Sequence, residues 1–256
     1  MVSLSKGGAL MVKRLLSLAA AVLLAPVAFA QGSLPVGGQV MLASEYRFRG
    51  IDQTFGQPAL QAGFDYSHPS GLYLSNWNSN VHPNAGPAGY PNANLEMDFY
   101  GGWKRAFGDF GLDLGAIYYF YPGSDPAIDN KEFYIGGRWR TISLRYNHSL
   151  GEYFDVSSTS DSSYLDLSAS FDFGGGWGLL AHYGKLRVKN FSSADYEDWK
   201  LGVTKDMGGY VFGAAYVDTN ANGDCGSGEF YCRADAAGRS RDLSDATIVL
   251  SVSKTF

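Results

Sequence analysis

The side chains in this sequence with the most chemical potential are ionic residues at alternate positions. Glu45, Arg47 and Arg49 are spaced two apart, as are Glu96 and Asp98, while Asp65, Glu132, Arg138, Arg145, Asp166 and Lys200 stand in similar settings further along. Successive side chains of an extended chain point to opposite faces, so each of these residues falls on one face of its strand. Both signs of charge gathered inside a closed sheet form an electrostatic constriction, which selects solutes by charge and size. In a narrow interior the same residues would instead pair and fill the space, as buried charges must.

A second set of oxygen donors lies further toward Phe256. Asp218, Asn220, Asn222, Asp224 and Glu229, with Gly223 at the turn, fit the calcium-loop pattern D-x-[DN]-x-[DN]-G-x5-E. That spacing offers oxygens at alternate positions and a bidentate Glu at the end. A strand precedes it where an EF-hand has a helix, and polar hairpin loops are rich in the same residues. Calcium is the only cofactor the residues suggest. The four histidines, at 68, 82, 148 and 182, show no catalytic spacing to a nucleophile or paired carboxylate, so no enzyme is expected.

The elements that must carry these residues are strands. Apolar side chains recur with period two over 39–49, 60–67, 95–100, 110–120, 132–139, 142–147, 165–171, 199–204, 210–216 and 247–256. Leu72–Asn80 and 177–186 read as strands by composition, with mixed faces. The total is about twelve strands, an even number. Short links at 68–71, 104–109, 140–141, 172–176 and 206–209 alternate with long ones at 51–57, 81–94, 122–131, 151–163, 187–197 and 218–245. A meander with short turns at one end and long loops at the other is the pattern of outer-membrane barrels. A soluble barrel with its apolar face inward is the competing architecture.

Aromatic residues should form two belts, since amphipathic rings prefer the membrane interface. Trp103, Phe110, Trp139, Trp177, Tyr210 and Phe256 are expected at the short-turn rim, and Phe48, Tyr118, Phe120, Trp199 and Tyr216 at the other. Residues 1–30 combine Lys13 and Arg14 with an apolar run and Ala28-Phe29-Ala30, as an export signal cleaved after Ala30 does. Residues 31–256 then form the barrel. In an oxidising compartment Cys225 and Cys232 are expected to form one disulfide, and they lack the C-x-x-C spacing of a redox pair.

The chain has 256 residues, 20 basic and 25 acidic, for a net charge of −5. Cleavage would remove Lys6, Lys13 and Arg14 and no acids, leaving 17 against 25, or −8. This acidity disfavours nucleic acid as a partner. It also biases a pore toward cations.

The block Ser44-Glu45-Tyr46-Arg47-Phe48-Arg49-Gly50-Ile51, followed by Gln53 and Pro58-Ala59-Leu60-Gln61, resembles the TorF family of porins. Similar blocks follow at Phe99-Tyr100-Gly101-Gly102, Gly115-Ala116-Ile117-Tyr118-Tyr119, Glu132-Phe133-Tyr134, Lys200-Leu201-Gly202-Val203, Ala215-Tyr216-Val217-Asp218-Thr219 and Leu250-Ser251-Val252-Ser253-Lys254-Thr255-Phe256. The resemblance implies an outer-membrane barrel of porin type and brings no catalytic residues. The expectation is therefore an all-β, closed, up-and-down antiparallel barrel in the outer membrane of a Gram-negative bacterium, passing small hydrophilic solutes. Its partners would be membrane lipid, those solutes and the barrel-assembly machinery, the last met through the terminal strand. The alternative is a closed barrel acting as an adhesin or structural protein through its external loops.

Overall fold

Alternation of the kind seen in Phe110–Phe120 leaves each strand one apolar and one polar face, and a closed sheet satisfies both faces and every backbone edge at once. The computed structural model describes residues 36–86 and 89–256. The expected export signal, 1–30, lies outside the described residues. Twelve antiparallel strands form one closed barrel. They are β1 (Val36–Ala43), β2 (Ala59–Ser67), β3 (Leu72–Asn80), β4 (Leu95–Phe107), β5 (Phe110–Phe120) and β6 (Asp129–Trp139), then β7 (Ile142–Ser149), β8 (Ser163–Gly174), β9 (Trp177–Arg187), β10 (Tyr196–Met207), β11 (Tyr210–Thr219) and β12 (Thr247–Thr255). Each strand pairs with the next. β12 closes the ring on β1, with Gln39 opposite Thr255 and Ala43 opposite Ser251. The connections are short at one end and long at the other, and the only helical segments described are single 3-10 turns at Tyr153–Asp155 and Ser192–Ala194.

The apolar faces look outward. Leu95, Phe212 and Leu250 are 39%, 43% and 58% exposed, which excludes the soluble barrel with an inward apolar face. At the short-turn rim Phe110, Trp139, Trp177, Tyr210 and Phe256 are exposed. Cations lie over several of these rings: Lys205 is 4.6 Å from the centroid of Trp177 and Lys254 is 4.1 Å from that of Tyr210. Such pairs suit a headgroup layer, where rings and long cationic stems both reach an interface. At the opposite rim Tyr118 stacks with Phe120 and Trp199 packs on Tyr216.

One expected strand is corrected. Alternation continues to Arg49, but β1 ends at Ala43 and the chain turns into the barrel. Phe48 is therefore not a rim residue. It packs inside against Tyr119 and Phe154. The buried apolar core also lies within the barrel, at its long-loop end. There Tyr46, Ile51, Tyr90, Phe154, Tyr231 and Leu243 from the loops meet Tyr119, Tyr164 and Leu186 from the wall.

Candidate functional site

The long-loop end of the lumen is filled by the first long connection, 44–58. Within it Arg47–Phe48 pairs with Ile51–Asp52 as a short ribbon. The linking residues Arg49 and Gly50 have φ of +49° and +83°, the left-handed pair that a tight two-residue hairpin turn demands. The turn reaches across the lumen: a Cβ at Gly50 would sit 2.8 Å from Cβ of Asp198 on β10. The ribbon is held by its own polar groups. The Tyr46 N–H donates to Thr54 Oγ1 at 3.1 Å and the Thr54 N–H to Asp52 Oδ1 at 2.9 Å.

Arginines fasten this hairpin to the last long loop. Arg47 Nη1 donates to the carbonyls of Leu243 (3.0 Å) and Asp245 (2.9 Å), and its guanidinium also pairs with Glu45. Arg241 reaches back to Asp52 at 2.8 Å and Glu45 at 3.5 Å. Glu45 and Arg47 thus belong to a clasp between loops rather than to the wall. Burial raises the pKa of the Tyr46 phenol, and the Glu96 carboxylate that its hydroxyl donates to, at 3.0 Å, adds to the shift.

Arg49, at the hairpin tip, meets the wall. Its Nη2 and Nη1 donate to Glu132 Oε2 at 2.7 Å and Oε1 at 3.1 Å, with the side chains 6% and 2% exposed. Its guanidinium lies 4.3 Å from the ring centroid of Tyr164, 4.9 Å from Phe48 and 5.9 Å from Tyr153. Glu132 also accepts from Asn130 at 2.9 Å and Tyr119 at 3.4 Å. Glu96 and Asp98 are buried close by on β4. Glu96 Oε2 and Asp98 Oδ1 have no hydrogen-bond partner.

Below this girdle two polar clusters line the wall. In one, Arg145 pairs with Asp113 at 3.0 Å and lies over Tyr134, while Tyr73 donates to Asp113 at 2.8 Å and also bonds Tyr134. The wall makes room for Tyr134 at Gly115, where a Cβ would collide with the phenol oxygen. In the other cluster His182 stands between carboxylates, with Nε2 2.9 Å from Asp198 and Nδ1 3.3 Å from Asp166. Tyr164 donates to Asp198 and Ser168 to Asp166. A serine, an imidazole and two acids meet here: both ring nitrogens face carboxylates, and Ser168 Oγ lies 3.0 Å from His182 Nδ1 while its hydroxyl donates to Asp166 at 2.5 Å. Lys200 lies within electrostatic reach of Asp166 and Asp198. Nearer the short turns Asp65 is exposed and accepts from Ser75 at 2.5 Å, and Arg138 donates to the Arg140 carbonyl at 3.4 Å.

For the expected calcium loop of Asp218, Asn220, Asn222, Asp224 and Glu229, the described residues contain no group of three or more His, Cys, Asp or Glu arranged to hold a metal ion. Several of these side-chain oxygens bond the loop itself. Asn220 Oδ1 caps the Glu197 N–H at 2.7 Å and Glu229 Oε2 caps the Asp224 N–H at 2.8 Å. The Ser227 hydroxyl and the Gly226 N–H bond the Asp224 carboxyl and hold its pKa below the usual carboxylate range. Cys225 and Cys232 form a disulfide across this loop, with Cα atoms 5.1 Å apart.

The sequence singled out the wall residues Glu96, Asp98 and Glu132 but not their partners. Tyr119, Tyr153, Tyr164, Asp113, His182 and Asp198 come together only through the closure of the sheet. Inward parity was the available signal for Asp113, which lies between Gly111 and Gly115 on its face, and for Asp198, two residues from Lys200.

The family described as "Bacterial protein of unknown function (Gcw_chp)" matches residues 28–256. The chain belongs to this family. The Gcw_chp chain is similar in fold to the KdgM porin, with a TM-score of 0.51 and 8% identity over 86% of this chain and 98% of that one. The KdgM porin in complex with disordered oligogalacturonate gives the same values. The NanC porin gives a TM-score of 0.51 at 9% identity, with the same coverage. At such identity the likeness concerns fold alone. No curated protein matches the chain.

Proposed function

We propose that this Gcw_chp protein is an outer-membrane channel of porin type for small hydrophilic solutes, preferring cations, with hairpin 44–58 as its gate. The observation that carries this reading is the lumen wall. Mixed charges and hydroxyls run from the exposed Asp65 to the Arg49 girdle inside a barrel whose outside is apolar. A water-filled passage needs such a wall, and barrels of more than eight strands have room to leave one open. The fold shared with the KdgM and NanC porins supports the reading, as does the sequence resemblance to the TorF family. The acidic balance of the chain favours cations. On this reading the barrel sits in a Gram-negative outer membrane, with lipid around its aromatic belts and β12 presented to the assembly machinery.

The filled long-loop end favours one second reading, a closed barrel that works through its loops, because the core of Tyr46, Tyr90, Phe154 and Tyr231 seals that end. Conductance separates the two. Purified full chain in planar bilayers under a potassium chloride gradient is expected to give unit conductance steps with a cation-selective reversal potential. Silence in both the wild type and a variant whose hairpin is undocked would refute the channel and leave the second reading.

A further inference from the structure

Among the described residues Arg49 is the one cation in the girdle that arrives from a loop, and its partners on β6 and β8 belong to the wall. Glu132 offers both oxygens to its guanidinium, and Tyr164 offers a ring face at 4.3 Å. A carboxylate fork combined with aromatic faces is the usual chemistry for recognising planar or ammonium cations. The negative charge there exceeds what Arg49 supplies. Glu96 and Asp98 are 1% and 6% exposed, and Asp98 lies in electrostatic range of Glu96, Glu132 and Arg49. Glu96 Oε2, Asp98 Oδ1 and Asn130 Oδ1 are all buried without a partner. Buried acceptors left unpaired are costly and call for an occupant. The described residues hold no three-carboxylate metal arrangement, so the spare oxygens suit an extended organic cation better than a bare ion.

We infer that the cage of Glu132, Tyr164 and Tyr119, with Glu96 and Asp98 beside it, is a binding site for solutes carrying a guanidinium or ammonium group, and that Arg49 is its built-in occupant. This rests on the channel reading of the lumen and names the substrate class for it. An entering solute with a guanidinium at one end would replace Arg49 on Glu132, and a second cationic end would reach toward Glu96 and Asp98. Binding and withdrawal of the hairpin are then one exchange, in which ligand affinity is spent on displacing the tethered guanidinium.

The test is calorimetric and uses agmatine with full chain refolded in detergent. Arg49→Met empties the cage, and Arg49→Met/Glu132→Gln also removes its anchor. Agmatine is expected to bind Arg49→Met at least tenfold more tightly than it binds the wild type or the double variant, while glutamate gives no heat. Equal agmatine affinity in all three proteins, or no heat with a folded Arg49→Met, overturns the inference. Where Arg49→Met does not fold, Arg49→Gln makes the same comparison with the same criteria. Heat is read without current, so silence in bilayers would end the channel reading alone, whereas absent heat would end the cage alone.

Discussion

Breaking the Arg49–Glu132 pair from one side is the sharpest test of the hairpin as a gate. Both side chains are almost wholly buried and share two hydrogen bonds, at 2.7 and 3.1 Å. Removing one partner of such a pair costs about 3–5 kcal/mol, because the other is left as an uncompensated buried charge. In Arg49→Met the orphan is Glu132, which keeps only the Asn130 and Tyr119 donors. The barrel ladder is untouched, so the loss falls on the docked state of the hairpin. About 3 kcal/mol corresponds to roughly a hundredfold shift toward release. Single-channel recording should therefore show open probability rising by about two orders of magnitude in Arg49→Met and again in Glu132→Gln. The double variant has no stranded charge and should open less than the sum of the two single effects, with a coupling of about 2–3 kcal/mol. Unchanged gating in both single variants, or strict additivity in the double, would refute the latch.

Three further outcomes are expected. Gly50→Ala forces a side chain onto φ +83° and against Asp198, so it should undock the hairpin by about 1–2 kcal/mol and increase protease access to 44–58, while barrel melting stays unchanged. Leu250→Arg places a charge on the lipid face and should destabilise the barrel by about 2–4 kcal/mol in vesicle unfolding, whereas Ser251→Arg, one residue along and facing inward, should cost far less. Cys225→Ser/Cys232→Ser opens a loop with a sequence separation of 7. Chain entropy gives about 2–3 kcal/mol for that closure, so 220–246 should be cleaved faster by trypsin with little change in the global transition.

Period-two alternation could reveal the barrel because lipid and lumen impose opposite demands on neighbouring residues, as Phe110–Phe120 illustrates. The same signal misled at 44–49. Tyr46 and Phe48 alternate with Glu45, Arg47 and Arg49 in a segment whose two faces both pack inside the barrel, so parity there marks extension and not membrane exposure. The Arg49-Gly50 doublet was the available sign of a turn. Leu72–Asn80 looked mixed because Asn76 and Asn78 share the outward parity of Leu72 and Leu74. Their amides are tied to the carbonyls of Asp98 and Ala62, which lets polar side chains lie flat on an apolar face. The calcium pattern matched in letters, but a hairpin needs the same acids to cap its own N–H groups. The cage around Arg49 was invisible because Glu132, Tyr153 and Tyr164 become neighbours only in the closed sheet.

The joint between β1 and β12 is paired at five positions, fewer than any other joint in the ring; β1 and β2 pair at eight. Directly beyond it Ser44 and Leu250 exchange two more bonds, and the Arg47 and Arg241 clasp spans the loops that leave these same two strands. A hoop under lateral pressure yields where its fastening is narrowest. The clasp thus lends circumferential strength at the weakest stave, and a solute that draws the hairpin away also loosens the wall's resistance to unzipping sideways into the bilayer.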